Sequence, residues 1–116
     1  MPEGYINNAQ RTKDVAFTPS SYTGNVSATT TVTGQSAALA TGVKKGAGQV
    51  RIRNLDATNY GLVAFGTSAS DAESNASTGV AIEAGAVEII GVPSAATHVA
   101  YLGDTGTVVL NITQGV

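Results

Sequence analysis

Cysteine and tryptophan are missing from this 116-residue chain, and histidine occurs once, at position 98. Without cysteine there is neither a disulfide framework nor a thiolate metal site. Charge is scarce as well. Asp, Glu, Lys and Arg make up 12% of the residues, about half the roughly 25% of an ordinary soluble domain. A surface so thinly charged, with Ser, Thr, Asn, Gly and Ala in its place, suits a protein packed against copies or partners. The formal net charge of −2 argues against the basic stripe with which nucleic-acid binders neutralise phosphates. No stretch reaches the roughly 18 consecutive apolar residues of a membrane span. Residues 1–9 lack the basic region and apolar core of a secretory signal. The expectation is a soluble chain made in the cytoplasm, with neither membrane nor nucleic acid among its partners.

What the chain does contain is alternation. Val50 and Ile52 alternate with Gln49, Arg51 and Arg53, and Val108, Leu110 and Ile112 alternate with Thr107, Asn111 and Thr113. A period of two buries one face and exposes the other, which is the pattern of antiparallel strands. Strands are predicted over residues 25–33, 36–41, 49–54, 60–66, 97–102 and 107–113. Residues 79–83 and 86–92 read as a hairpin around Ala84-Gly85, where glycine supplies the positive φ of a tight turn. Ile89 and Ile90 stand side by side there, so a bulge or burial on both faces is expected. Residues 67–78 form the longest polar connection, with room for a helical turn over 69–75. The first and last strands are the natural pair. Seven to eight short strands with turns about every ten residues predict an all-β fold, an antiparallel β-sandwich of jelly-roll or Ig-like type.

Residues 1–24 read differently, as an extended N-terminal arm ahead of a sandwich domain at 25–116. Residues 1–14 are polar and aperiodic; Val15, Phe17 and Pro19 follow, and then Ser20, Ser21 and Tyr22. Proline and serine favour extended or turn conformations. Two readings stand for this segment: a tail disordered in the isolated protein, or an arm in which Phe17 and Tyr22 are the candidate interaction residues, aromatic anchors for docking on a neighbouring subunit, where the arm would add a strand to an open sheet edge.

Catalytic and metal motifs find little material. His98 has no cysteine near it, and in a 97–102 strand it shares a face with Ala100 and Leu102. A partly buried polar side chain with a local hydrogen bond accounts for it better than a metal site. Lys44-Lys45-Gly46-Ala47-Gly48 reverses the order of a phosphate loop, which places glycines before the lysine, so a solvated hairpin tip is expected. Glu83 and Glu88 flank a turn as glycosidase carboxylates flank a sugar, but no apolar pocket is evident to raise one pKa. One histidine and no Gly-x-Ser-x-Gly elbow leave no nucleophilic triad. Asn25, Asn75 and Asn111 each open a glycosylation triplet, common by chance in a chain rich in Ser and Thr. The expectation is a non-enzyme with no cofactor and no metal.

Over residues 49–116 the chain resembles small virion proteins of tailed bacteriophages of the capsid decoration, or cement, type. The resemblance lies in Phe65-Gly66-Thr67-Ser68, Ala84-Gly85-Ala86-Val87-Glu88, Val92-Pro93, Ala96-Thr97-His98-Val99-Ala100 and Gly106-Thr107-Val108, in that order and spacing. It implies a β-sandwich on the capsid surface, made in the host cytoplasm and bound to the major capsid protein, with self-association as a homotrimer. It implies no catalytic residue. Two alternatives stand beside it. One is a neck, tail or fibre-base protein of the same particle. The other is a carbohydrate-binding sandwich, disfavoured by four Tyr, two Phe and no Trp for stacking sugars.

Overall fold

The computed structural model describes residues 17–40, 43 and 48–115. Eight strands form: β1 Pro19–Ala28, β2 Ser36–Ala38, β3 Gln49–Asn54, β4 Gly61–Gly66, β5 Val80–Ile82, β6 Val87–Gly91, β7 His98–Gly103 and β8 Val108–Gly115. They make two packed four-stranded antiparallel sheets, sheet A in the order β1-β8-β3-β6 and sheet B in the order β2-β7-β4-β5. The protein is an all-β sandwich of eight strands.

The pairing has a simple logic. β1 pairs β8, β2 pairs β7, β3 pairs β6 and β4 pairs β5, so the chain is one long antiparallel ribbon. Rolled up, the ribbon closes each sheet by a further pairing, β3 with β8 and β4 with β7. That winding is the jelly roll, and it decides between the two sandwich types expected.

Alternation supplies the core. Val50 and Ile52 of β3, Val108, Leu110 and Ile112 of β8, Val63 of β4 and Val99 of β7 are all buried in one cluster between the sheets. At roughly 25 cal/mol per Å² of apolar surface removed from water, this layer is the main stabilising element. Buried carboxamides tie the sheets together where the chain crosses between them. Asn54 at the end of β3 donates from Nδ2 to Asn59 O (3.0 Å) and to Ile82 O of β5 (2.9 Å), while its Oδ1 accepts from Asp56 N (2.8 Å). Gln35 donates to Thr29 O (3.1 Å) and Tyr101 O (3.0 Å) and accepts from Thr29 N (2.7 Å). Gln114, fully buried in β8, accepts from Ala40 N at 2.8 Å.

The outer face of sheet B carries a short helix, α1 Ala69–Asn75, continued by a 3₁₀ turn Ala76–Thr78. Ser68 caps it by accepting from Asp71 N (3.1 Å), and Asp71 in return accepts from Thr67 N (2.8 Å), a reciprocal cap. The helix lies close because its contact residues are small. Ala72 and Ala76 pack on Ala64 and Ala100, and a Cβ at Gly66 would collide with the backbone nitrogen of Ala72. Glu73 reaches back to accept from Ser36 Oγ (2.6 Å) and Gly34 N (3.2 Å).

Three sequence expectations are corrected. β5 and β6 are not a hairpin: Ala86 N donates to Glu83 O (2.9 Å) and Gly85 has φ +76°, but the chain crosses there from sheet B to sheet A. No bulge accompanies Ile89 and Ile90, since β6 keeps regular register with β3; Ile90 packs on the core and Ile89 points outward. The boundary drawn between residues 24 and 25 falls inside β1, whose residues from Pro19 onward pair with β8. Residues 1–16 of the expected arm and the Lys44-Lys45 tip lie outside the described residues.

Candidate interaction surface

Of the two anchors expected from sequence, Phe17 is half-buried against its own sheet: a Cβ at Gly115 would stand 2.8 Å from its ring. Tyr22 lies within β1, and its side chain is outside the described residues. His98 is half-buried, with Nδ1 2.9 Å from Thr97 Oγ1. Glu83 and Glu88 are both exposed, one beyond the end of β5 and the other on β6. Asn25 and Asn111 meet: Asn111 Nδ2 donates to Asn25 Oδ1 at 2.9 Å. No three His, Cys, Asp or Glu among the described residues cluster as metal ligands, and no helix is long and apolar enough to cross a membrane.

The structure instead sets out a surface that the motif search did not single out. Register places Arg51 opposite Ile89 and Arg53 opposite Val87, so all four share the outer face of sheet A, away from the buried Val50 and Ile52. Val87 and Ile89 are each 44% exposed. Neither guanidinium has a hydrogen-bond or ion-pair partner among the described residues. Asn111 of β8 continues the face next to Arg53 and Asn25 of β1 completes it, while Thr113, next to Arg51, is buried. The result is a broad, mostly neutral β surface with two free cations and two bare aliphatic side chains.

The carboxylates lie elsewhere. Glu88 is on the inward side of β6, opposite Ile52. Asp71 and Glu73 are on α1 over sheet B, and Asp56, Glu83 and Asp104 lie in the connections between strands. Asp56 accepts from Asn59 N (2.7 Å) and Thr58 N (3.0 Å), and these backbone donors hold its carboxyl below the ordinary value. A hydrogen bond to Asp104 raises the Tyr60 hydroxyl, aided by desolvation and by the charges of Asp104 and Glu83. Among the described residues, charge is therefore polarised, with the arginines on the outer face of sheet A and the acids off it.

A second feature opens beside β6. β5 covers only Gly61–Val63 of β4, leaving a depression of about 460 Å³ lined by Val63, Phe65, Val80, Ile90 and Pro93. Asn75 Nδ2 donates to Phe65 O at 3.0 Å and satisfies the uncovered strand.

A signal for the arginine face was present in the sequence. Arg51 and Arg53 sit at alternate positions of a clean strand, and such a pair must share the exposed face. Comparison with known proteins finds no matching family model, no matching curated protein and no matching solved structure.

Proposed function

We propose that the protein is a non-enzymatic structural component of a bacteriophage virion, which decorates the capsid surface and braces the shell by bridging capsomers. The observation that carries this reading is the outer face of sheet A, where, among the described residues, Arg51 and Arg53 stand unpaired beside exposed Val87 and Ile89 with no carboxylate on the same face. Such a face suits a flat acidic and apolar patch on another protein. Its partners in this reading are the major capsid protein and further copies of this chain. The low overall charge and the resemblance over residues 49–116 support the same reading. The jelly-roll winding supports it as fold-level analogy, since the fold serves viral shells as well as unrelated functions.

The mechanism is mechanical. An exposed ion pair contributes only about 0.2–1 kcal/mol, so two arginines do not hold the protein alone. Standard interfaces bury about 1,600 Å², and repeated contacts across neighbouring capsomers multiply the occupancy of each. Purified protein is expected to bind expanded capsids that lack it, and the double variant Arg51→Ala, Arg53→Ala to bind at least tenfold more weakly. Failure of the unaltered protein to bind would sink the proposal. A count of copies per purified particle separates decoration, with hundreds, from a neck or tail ring, with about a dozen.

A further inference from the structure

Each sheet of an open sandwich leaves two unpaired edges, and proteins guard such edges against uncontrolled pairing. Three of the four edges here are guarded by shortness or by proline and a register shift. β2 and β5 are three residues long. β1 opens with a proline and shifts register between Pro19 and Thr23. β6 is the most open: five residues, no proline, regular register and two exposed aliphatic side chains, with the inward-side charge of Glu88 as its one guard.

The backbone of β6 shows which groups are free. Asn54 N donates to Ala86 O and Val92 N donates to Gly48 O. In the register that joins β3 to β6, hydrogen-bonded and non-hydrogen-bonded pairs alternate. Ala86, Glu88, Ile90 and Val92 therefore direct their backbone groups toward β3. The N–H and C=O of Val87, Ile89 and Gly91 face the open edge, and none has a hydrogen bond among the described residues.

The geometry points to a second copy of this chain as the occupant of that edge, its β6 lying antiparallel to the first about a two-fold axis at Ile89. In that register Val87 meets the second copy's Gly91, Ile89 meets Ile89, and Gly91 meets Val87. All three are hydrogen-bonded pairs with two N–H···O bonds each, so every free group on the edge is used. Glu88 stands opposite Ile90 of the other copy. Sliding the strands to centre on Glu88 would set two carboxylates face to face, which is destabilising. The charge thus fixes the register while leaving the edge open to its own kind. On the outer face the paired isoleucines form one apolar strip flanked by Arg51 of each copy. Two four-stranded sheets become one continuous eight-stranded sheet carrying four arginines.

A joint of two five-residue strands is small, so the dimer is weak and dependent on concentration. It is two-fold, where the resemblance implies a trimer, and it does not depend on the decoration reading. Sedimentation velocity on the full chain across rising concentration tests it. The expected result is a shift from the mass of one chain to that of two, abolished by Ile89→Lys, a change at an exposed side chain whose cost to the fold, a lysine set opposite Arg51, is read from its melting curve. Ile89→Cys gives a second readout. The chain has no other cysteine, and hydrogen-bonded partners stand about 5.5 Å apart between Cα atoms, within disulfide reach. Mild oxidation should therefore yield a covalent dimer, while Leu55→Cys, exposed in the β3–β4 turn, should yield little. A chain that stays monomeric at all concentrations, sediments as a trimer, or keeps its dimer in Ile89→Lys would overturn the pairing. Capsid binding by the unaltered chain is read in its own assay, so an unaltered chain that binds capsids yet stays monomeric at every concentration removes this inference alone.

Discussion

The two sheets line the same core and treat their outer faces in opposite ways. Sheet B is roofed by α1, pressed down through Gly66, Ala64, Ala72, Ala76 and Ala100. Among the described residues, sheet A is left open over Arg51, Arg53, Val87 and Ile89, with Phe17 and Thr18 covering only its Gly115 end. A closed face tolerates almost no added volume, because interiors are packed like crystals, whereas an open face tolerates nearly any side chain. In the decoration reading proposed above, the sheet without a roof is the one that makes contact.

The contrast can be broken most severely from the roofed side. Gly66→Ala drives a methyl into the backbone of Ala72, and we expect a loss of about 3 kcal/mol, read as a lower urea midpoint. Gly91→Ala is the matching change on the bare face, where a Cβ meets nothing within 4 Å; it should alter stability by no more than about 0.5 kcal/mol. A large loss there would show the face to be covered after all.

Next in size is the tie between the sheets. Asn54→Ala strands Ile82 O, Asn59 O and Asp56 N and should cost roughly 2–3 kcal/mol, on the order of 10 °C in Tm. A change of only a degree or two would mean that water replaces the carboxamide. Smaller still is the stability effect of Arg51→Ala with Arg53→Ala, within about 0.5 kcal/mol because neither side chain has a partner to lose. A clear drop in Tm would assign the pair to the fold and weaken their assignment to a docking face.

The smallest effects come from pH. Asp56 has a lowered folded pKa, so its contribution is present above the unfolded value and fades as pH falls through the folded one. Asp56→Asn should flatten the acid limb of the stability curve. Tyr60 is raised, so its contribution is complete below the unfolded value, about 10, and fades as pH rises through the folded one. Tyr60→Phe should flatten the alkaline limb. Urea midpoints across pH check both.

Strands that alternate cleanly were legible in the sequence. β3, β4, β7 and β8 lie within a few residues of their predicted bounds because large apolar residues mark one face of each. Pairing was less legible, since alternation says which face is buried and nothing about the neighbour. Ala84-Gly85 has true turn chemistry, but β5 and β6 leave it for different sheets, so a local hairpin signal was overridden by the roll of the ribbon. β1 begins before the threonine-rich run predicted for it because an edge strand can admit Pro19 at its first position. Residues beyond Ala28 leave the sheet to cross over. α1 was faint because its buried residues are alanines, whose small size gives little periodic signal yet permits the close approach. Of the candidate site, Arg51 and Arg53 could be placed on one face from spacing alone. Their nearness to Val87 and Ile89 depends on the β3–β6 register, a long-range fact.

The ribbon also governs how the chain comes into being. β8, the last of the eight strands in chain order, sits in the middle of sheet A between β1 and β3, and β1 has no other strand partner among the described residues. A nascent chain therefore holds β1 waiting until β8 has left the ribosome. Folding is a late, concerted closure dominated by distant contacts, slow by the standard of small domains. Losing the stretch from Leu110 onward would remove most of the strand that joins β1 to β3, so a copy cut there has no half-built sheet A to offer.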